Sequence, residues 1–171
     1  MSLNIADQYY LKALDDYPYN LEESIENLNY ALSYDPEHTG ANCLMATFCM
    51  EIIRDYELAE YYLKLAVSSN PESLQVYEAY TLLAIKQHDF EKAEKLIRFT
   101  HQLKGVDNGK MFELEALMYE YMKDYKKSEM LLLKAIEESF DNDQIEFLKK
   151  ELDRVLQKIS MRQTYKYEYE E

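Results

Sequence analysis

Histidine, cysteine and acidic residues are the side chains with which this chain could catalyse a reaction or bind a metal. The three histidines, His38, His88 and His101, fall near the ends of predicted helices and far apart in the sequence. No pair of them has the spacing of a metal site, and no Cys-x-x-Cys arrangement accompanies them. The three glycines are scattered and form no phosphate-binding loop. No Ser, His and acid can be assembled into a nucleophilic triad from the sequence order. We therefore expect no enzymatic activity, no metal and no cofactor.

The two cysteines predict structure rather than reactivity. Cys43 and Cys49 are six residues apart on one predicted helix, where they point to different faces and are not expected to bridge each other. Their neighbours are apolar, which predicts buried thiols and fits a reducing compartment. The N-terminus has no basic segment followed by an apolar run, and no apolar stretch is long enough to cross a bilayer. The sequence therefore predicts a cytoplasmic protein.

Charge gives the first indication of a binding function. The chain has 33 acidic and 19 basic residues, a net charge of −14. Up to Glu60 the only Lys and Arg residues are Lys12 and Arg54. Such a surface repels phosphate backbones, which disfavours nucleic acid as a partner. It attracts a basic protein, although an acidic surface that serves only solubility has the same composition.

A repeated motif organises the helices that would position these side chains. Each copy has a cation or His, an Asp, an aromatic ring, and three residues after the ring a small residue followed by Glu. The small residues Ala59 and Ala93 are 34 residues apart, and Ala93 and Ser128 are 35 residues apart. A period of this length predicts a stacked helical repeat. The copies cover residues 54–60, 88–94 and 123–129, with a weaker one at 21–24.

Nine helices are predicted from the positions of the helix-breaking residues. Only three glycines and three prolines are present, which favours long helices and short loops. The first eight helices form four antiparallel pairs, at about residues 5–38, 39–72, 73–107 and 108–140. The single helices are expected at about residues 5–16, 20–35, 40–54, 55–70, 72–87, 89–102, 110–122, 124–139 and 141–161.

Small and large residues alternate along the second helix of each pair. The ring at its start packs across the pair, and the small residues let the two helices approach to about 8–10 Å. The ring, small, large and second small positions hold Tyr56, Ala59, Leu63 and Ala66 in the second pair, Phe90, Ala93, Ile97 and Thr100 in the third, and Tyr125, Ser128, Leu132 and Ala135 in the fourth.

The ninth helix carries an apolar seam from Ile145 to Ile159, with polar residues on its other faces. A repeat array needs a terminal helix of this kind, so residues 141–161 are expected to cap the array. The same seam would also suit a homodimer. Residues 162–171 form a Tyr- and Glu-rich tail, which is expected to fray or to add to a neighbouring chain.

The second helices resemble those of the tetratricopeptide repeat (TPR) family, whose units are helix–turn–helix repeats of 34 residues. Ala59, Ala66 and Pro71 match that family's small and proline positions, while Leu63 matches its ring position only as a hydrophobe. The resemblance implies an all-α, right-handed α-solenoid of about four TPR-like units over residues 1–140 plus the capping helix. The first helices depart from the family, with Cys43, Tyr77 and Phe112 at its aromatic position and Thr47, Thr81 and Ala116 at its glycine position.

The resemblance also implies a concave groove, lined by the first helices, that binds a peptide or partner helix. An apolar floor with a Glu rim suits an amphipathic or extended segment bearing Lys or Arg. Binding is expected to weaken with salt, and Phe48→Ala is expected to cost more than any single Glu substitution. The implied groove residues are Tyr9, Tyr10, Leu44, Met45, Phe48, Glu51, Glu78, Leu82, Ile85, Glu113, Leu117, Glu120 and Tyr121.

These observations predict a non-enzymatic scaffold or adaptor for protein–protein interaction, with a protein or peptide as partner and neither nucleic acid nor a membrane. Two alternatives remain open. One is a structural module that self-assembles through Ile145–Ile159 or through the tail. The other is a small acidic chaperone of the secretion type. A further interpretation is that neighbouring helices pack the groove residues, so that no ligand binds there.

Overall fold

The computed structural model describes residues 4–169, with side chains as far as residue 163. Over these residues the chain forms nine α-helices and one π-helical turn and no strand, which confirms the predicted all-α class. No described helix combines the length and the hydropathy that crossing a bilayer requires. The helices are α1 Ile5–Asp16, α2 Leu21–Tyr34, α3 Thr39–Phe48, α4 Tyr56–Ser69, α5 Leu74–Lys86, α6 Phe90–Thr100, α7 Asn108–Tyr121, α8 Tyr125–Glu138 and α9 Asn142–Tyr169, and the π turn is Cys49–Ile53.

The chain divides into two compact units, an N-terminal unit of residues 1–83 and a C-terminal unit of residues 84–171. The boundary lies inside α5. In the N-terminal unit α1 packs against α2 and α3, α2 packs against α3, and α3 packs against α4. In the C-terminal unit α7 packs against α6 and α8, and α8 packs against α9. Each unit buries its own apolar side chains, so each has its own core.

The alternating positions of the second helices are buried throughout, as predicted. Removing these side chains from water supplies the main stabilisation of each helix pair, about 25 cal/mol for each Å² of apolar surface. In the N-terminal unit the Ser24 hydroxyl, at the first small position, donates a hydrogen bond to the Ala13 carbonyl of α1 at 2.9 Å. The residues that are at most 5% exposed at these positions are Ser24, Leu28, Ala31, Ala59, Leu63, Ala66, Ala93, Ile97, Thr100, Ser128, Leu132 and Ala135.

The repeated motif makes the same turn three times. Its first residue, Arg54, His88 or Lys123, has a left-handed backbone with φ of 64°, 60° and 63° respectively. The next residue is an Asp whose side chain accepts the backbone N–H three positions later, which caps the second helix. The distance from the backbone N to the Asp Oδ1 is 2.9 Å for Leu58 and Asp55, 3.1 Å for Lys92 and Asp89, and 3.2 Å for Lys127 and Asp124.

A π-helical turn follows α3, where an unbroken α-helix was predicted to Arg54. A π turn accommodates one extra residue and changes the helical register. The buried small residue of α3 is accordingly Ala46, which is 1% exposed, and not Thr47 as the TPR register implied. Ala46 precedes Thr81 by 35 residues, and Thr81 precedes Ala116 by 35, so the underlying period is regular. The extra residue lies between Ala46 and Ala59, which accounts for the shorter count of 34 from Ala59 to Ala93.

The last helix is longer than predicted. The backbone of α9 stays helical past Met161 to Tyr169. Its Leu148 and Val155 side chains are fully buried against α7 and α8 within the C-terminal unit. Residues 170 and 171, the end of the predicted tail, lie outside the described residues.

Candidate protein-binding surfaces

The three groove residues implied on α3 lie in the core of the N-terminal unit. Leu44, Met45 and Phe48 are 6%, 4% and 8% exposed. The cause is the composition of α3, which is mostly apolar and is enclosed by α1, α2 and α4. The expectation that these side chains form an open floor is therefore wrong. The Phe48→Ala substitution would therefore remove core packing and not a binding anchor.

The two tyrosines of α1 face neighbouring helices of the same unit. Tyr9 stacks on Tyr30 and Tyr34 of α2, with ring centroids 5.1 and 5.9 Å apart. Tyr10 packs against the ring of His38 at 4.9 Å. It also fills the space beside Gly40, where an added Cβ would lie 2.6 Å from the tyrosine ring. A larger residue at position 40 would therefore displace the Tyr10 ring.

A histidine at the start of α3 links it to α1. His38 Nδ1 accepts the backbone N–H of Ala41 at 3.0 Å, which caps α3. Because Nδ1 accepts, the ring hydrogen is on Nε2, and it is donated to Asp7 Oδ1 at 3.1 Å. The sequence places His38 near a helix end but contains no motif that predicts this link.

Two groove acids of the N-terminal unit lie beside the preceding first helix. Glu51 is near Tyr17, the residue that follows α1, where burial first and then the Glu51 charge raise the pKa of the phenol. Glu78 of α5 is near Cys43 of α3, where burial first and then the Glu78 charge raise the pKa of the thiol to about 12. Both acids are half-buried, as is Leu82. Successive first helices of this unit are thus close neighbours.

Both cysteines are buried thiols, as predicted. The pKa of the Cys49 thiol is also raised, to about 11, by burial first and then by the charge of Asp55. Near neutral pH neither side chain supplies the thiolate that a nucleophile or a metal ligand requires. Over the described residues, no three His, Cys, Asp or Glu side chains are grouped in a way that could hold a metal ion.

Three groove residues of the C-terminal unit are engaged within the unit. Ile85 is fully buried and packs in one cluster with Met118. Glu113 accepts hydrogen bonds from Lys110 at 2.6 Å and from Gln144 of α9 at 2.8 Å. The third, Glu120, is 7% exposed although it is charged. Ile85 and Glu113 therefore form neither the open floor nor the open rim that the TPR register implied.

Glu120 is held by two cations of α9. Arg154 donates to both carboxylate oxygens, at 2.6 and 3.0 Å, and Lys158 donates to one of them at 2.6 Å. Burial alone would raise the pKa of the Glu120 carboxyl, but the hydrogen bonds and charges of Arg154 and Lys158 outweigh it and lower the pKa below its usual value. The chain's own last helix therefore uses the acid that was predicted to hold a partner.

Three predicted groove residues of α7 line an open cavity. Leu117, Tyr121 and the ion-paired Glu120 surround a space of about 470 Å³ together with Tyr125, Arg154 and Lys158, among others. Tyr121 is 38% exposed. The apolar side chains here stand next to cations of α9, and not next to a free Glu rim. The sequence identified this face of α7 but not the charge of the helix that borders it.

An exposed aromatic surface that was not predicted from the sequence lies on α2. Tyr30 and Tyr34 remain 46% and 58% exposed although they stack on Tyr9, and we call these three residues the tyrosine stack. Glu23 and Glu26 are exposed, seven and four residues before Tyr30, and thus on the same side of α2. The spacing of Tyr30 and Tyr34, four residues apart on a predicted helix, could have indicated this surface.

The two units differ in charge. The N-terminal unit contains 14 acidic and three basic residues, a net charge of −11, whereas the C-terminal unit contains 19 acidic and 16 basic residues, a net charge of −3. Most of the negative charge therefore belongs to the unit that carries the tyrosine stack.

Comparisons with known proteins found no matching family model, no matching curated protein and no matching solved structure.

Proposed function

We propose that the chain is a non-enzymatic scaffold for protein–protein interaction, and that its N-terminal unit binds a partner segment bearing Lys or Arg. One observation carries the proposal: a unit with a net charge of −11 exposes two stacked tyrosines beside acidic residues. The proposed contact surface is the tyrosine stack with Glu23 and Glu26. It replaces the groove floor of Leu44, Met45 and Phe48, which is buried.

The chemistry of this surface favours a cation on the partner. Carboxylates in excess raise the local concentration of a basic segment and speed its association. The ring faces then hold individual cations, each with about 0.5–1 kcal/mol at an exposed site. Lys12 of the chain itself already lies over the Tyr9 ring, 5.0 Å from its centroid. Micromolar affinity needs about 8 kcal/mol, so several such contacts and an apolar side of the partner have to act together.

We also propose that the helix pairs stack as a right-handed solenoid of about four TPR-like units capped by α9. Contacts between successive first helices support this arrangement in the N-terminal unit. Asp7 and Tyr10 of α1 contact the start of α3 at His38, and Cys43 of α3 contacts the Gln75 carbonyl of α5 at 3.6 Å. In a solenoid each repeat contacts its neighbours in this way. The right-handed sense follows only from the TPR resemblance.

Self-assembly through the seam of α9 is less well supported. Leu148 and Val155, at the centre of the Ile145–Ile159 seam, are fully buried within the C-terminal unit. A second copy could use this seam only after α9 had left α8. We therefore keep the scaffold as the proposed function.

The proposal is tested with a labelled peptide of alternating Leu and Arg residues, titrated with the full chain and followed by fluorescence anisotropy. Glu23→Lys combined with Glu26→Lys is expected to weaken binding about tenfold. The matched control, Glu146→Lys combined with Asp153→Lys, makes the same change in net charge at exposed positions of α9. It is expected to change binding less than about threefold, because screening limits the reach of a charge to about 8 Å at physiological salt. Equal weakening by both variants would overturn the proposed surface.

A second pair of variants tests the rings. Tyr34→Ala is expected to weaken the same peptide about two- to fivefold, since it removes an exposed cation–π site. Tyr19→Ala removes a tyrosine that is 93% exposed and outside the stack, and it should leave binding unchanged. If Tyr34→Ala has no effect, the rings take no part and only the carboxylates remain.

A further inference from the structure

A basic cleft opens in the C-terminal unit of this acidic chain. It has a volume of about 490 Å³, and its lining residues are Lys123, Tyr125, Lys158, Met161 and Arg162. We call it the Tyr125 cleft. Three of these residues are cations and none is acidic, in a protein whose net charge is −14. The local excess of positive charge is thus opposite in sign to that of the whole molecule.

Two of the three cations in the Tyr125 cleft make no ion pair with a carboxylate among the side chains that the structure describes. Lys158 is paired with Glu120 at 2.6 Å. Arg162 donates to the backbone carbonyl of Lys123 at 3.2 Å and is not paired with any described carboxylate. The Lys123 ammonium makes neither a hydrogen bond nor an ion pair with any residue that the structure describes. A ligand that brings two negative charges would therefore balance the cleft.

The cations are arranged around an aromatic ring. Lys158 Nζ lies 5.9 Å and Arg162 Cζ 6.0 Å from the centroid of the Tyr125 ring. Tyr125 is also the first residue of α8, whose N-terminus is capped by the Asp124 carboxylate. A neighbouring cavity of about 270 Å³ adds Lys126, the apolar side chain of Ile159 and one acid, Asp124, whose carboxylate caps α8. Positive charge and apolar surface thus occur together.

We propose that the Tyr125 cleft binds a short acidic segment of a partner protein, in which carboxylates flank an apolar side chain. The carboxylates pair with Lys123 and Arg162, and the apolar side chain lies against Tyr125 and Met161. An inorganic anion would use only the charges and would leave this apolar surface in water. The proposal is independent of the basic partner of the N-terminal unit, because both the unit and the sign of the ligand charge differ.

The probe is a fluorescein-labelled peptide of sequence Glu-Leu-Glu-Glu-Leu-Glu with blocked ends, so that only side-chain carboxylates are present. Lys123→Glu combined with Arg162→Glu in the full chain is expected to weaken its binding at least about tenfold. The matched control is Lys104→Glu combined with Lys149→Glu, two exposed lysines outside the cleft. It makes the same change in net charge and should shift the dissociation constant less than about threefold. Circular dichroism checks the fold of each variant. A milder variant, Lys123→Gln, removes no observed contact. It is expected to weaken peptide binding about threefold without affecting folding.

Four results would overturn the proposal. The first is that the control weakens binding as much as the cleft variant does. The second is that a peptide with Gln in place of Glu binds as tightly as the acidic peptide. Inorganic phosphate displaces the peptide at equal concentration, which would make the cleft a simple anion site. Sedimentation shows a wild-type dimer that Lys123→Gln dissociates, which would make the occupant a second copy of the chain.

Discussion

Arg54, His88 and Lys123 hold a backbone conformation that is unfavourable for any residue with a Cβ. Each has φ near +60°, at a cost of about 1–2 kcal/mol. The turn persists because the backbone N–H of the Asp that follows hydrogen-bonds back to the preceding helix, for instance Asp89 to the Ala84 carbonyl at 2.9 Å. The Asp side chain then caps the next helix. The strain is thus offset by satisfied backbone groups on both sides of the turn.

We predict that Arg54→Gly stabilises the N-terminal unit by about 0.5–1 kcal/mol. Glycine adopts the left-handed conformation without steric cost, and this gain exceeds the extra entropy that glycine loses on folding. Arg54 is exposed, so little packing is lost. The measurement is urea unfolding followed by circular dichroism.

Lys64→Gly is the control for this prediction. Lys64 is exposed in the middle of α4, where glycine is expected to cost about 1 kcal/mol. The two substitutions to glycine should therefore have opposite signs. A destabilisation by Arg54→Gly as large as that by Lys64→Gly would contradict the explanation by strain.

Equivalent residues can keep one role while the residue type changes. Asn42 donates its side-chain N–H to the Pro36 carbonyl at 2.9 Å, and Tyr77 donates its hydroxyl to the Pro71 carbonyl at 2.9 Å. Asn42 and Tyr77 are 35 residues apart. A sequence pattern based on residue type therefore finds the repeat in the second helices, where size alone is constrained. It loses the repeat in the first helices, where different side chains make the same bond.

At the scale of the elements, the sequence predicts the helices better than their environment. The ends of the helices follow from Asp caps and prolines, which act locally. The burial of the α3 face and the pairing of Glu120 depend on which other helices lie alongside, and no local signal carries that information. The π turn was missed for a related reason. It changes the register by one residue, and an apolar helix such as α3 matches the expected pattern in either register.

The contact of α9 with Glu120 leads to a prediction at this scale. Glu120→Gln is expected to destabilise the C-terminal unit by about 1.5–3 kcal/mol at pH 7, the range for hydrogen bonds to a charged group. The pKa of Glu120 is lowered in the folded protein, so its stabilising contribution is present above the ordinary pKa of 4.5 and is lost as the pH falls through the folded value. The difference between wild type and Glu120→Gln should therefore shrink at pH 3. Urea unfolding at the two pH values measures it.

Glu151→Gln is the matched control. Glu151 also pairs with Arg154, at 2.6 Å, but on the same helix and in a more exposed position. Its loss is expected to cost less than about 1 kcal/mol. If both substitutions cost the same, the docking of α9 does not depend on the buried carboxylate.

The whole molecule combines two units of different charge. A net charge of −11 on residues 1–83 implies that like charges repel each other across the surface of the N-terminal unit. This repulsion opposes folding, and salt reduces it. The C-terminal unit is nearly balanced, and the charges that matter most to it are the attractive pairs that hold α9. Salt should therefore act on the two units with opposite sign.

Hydrogen exchange followed by mass spectrometry tests this last prediction. Raising NaCl from about 20 to 300 mM shortens the Debye length from roughly 20 to 6 Å. We expect slower exchange in α1–α4, where repulsion is screened, and faster exchange in α9, where the partly exposed Arg154 and Lys158 lose part of their attraction to Glu120. The Glu120→Gln variant should keep the slowing in α1–α4 and lose the salt effect in α9, because only the second depends on that carboxylate. A uniform change in both units would instead indicate a general solvent effect of the salt, and charge would then not be what distinguishes the two halves of the chain.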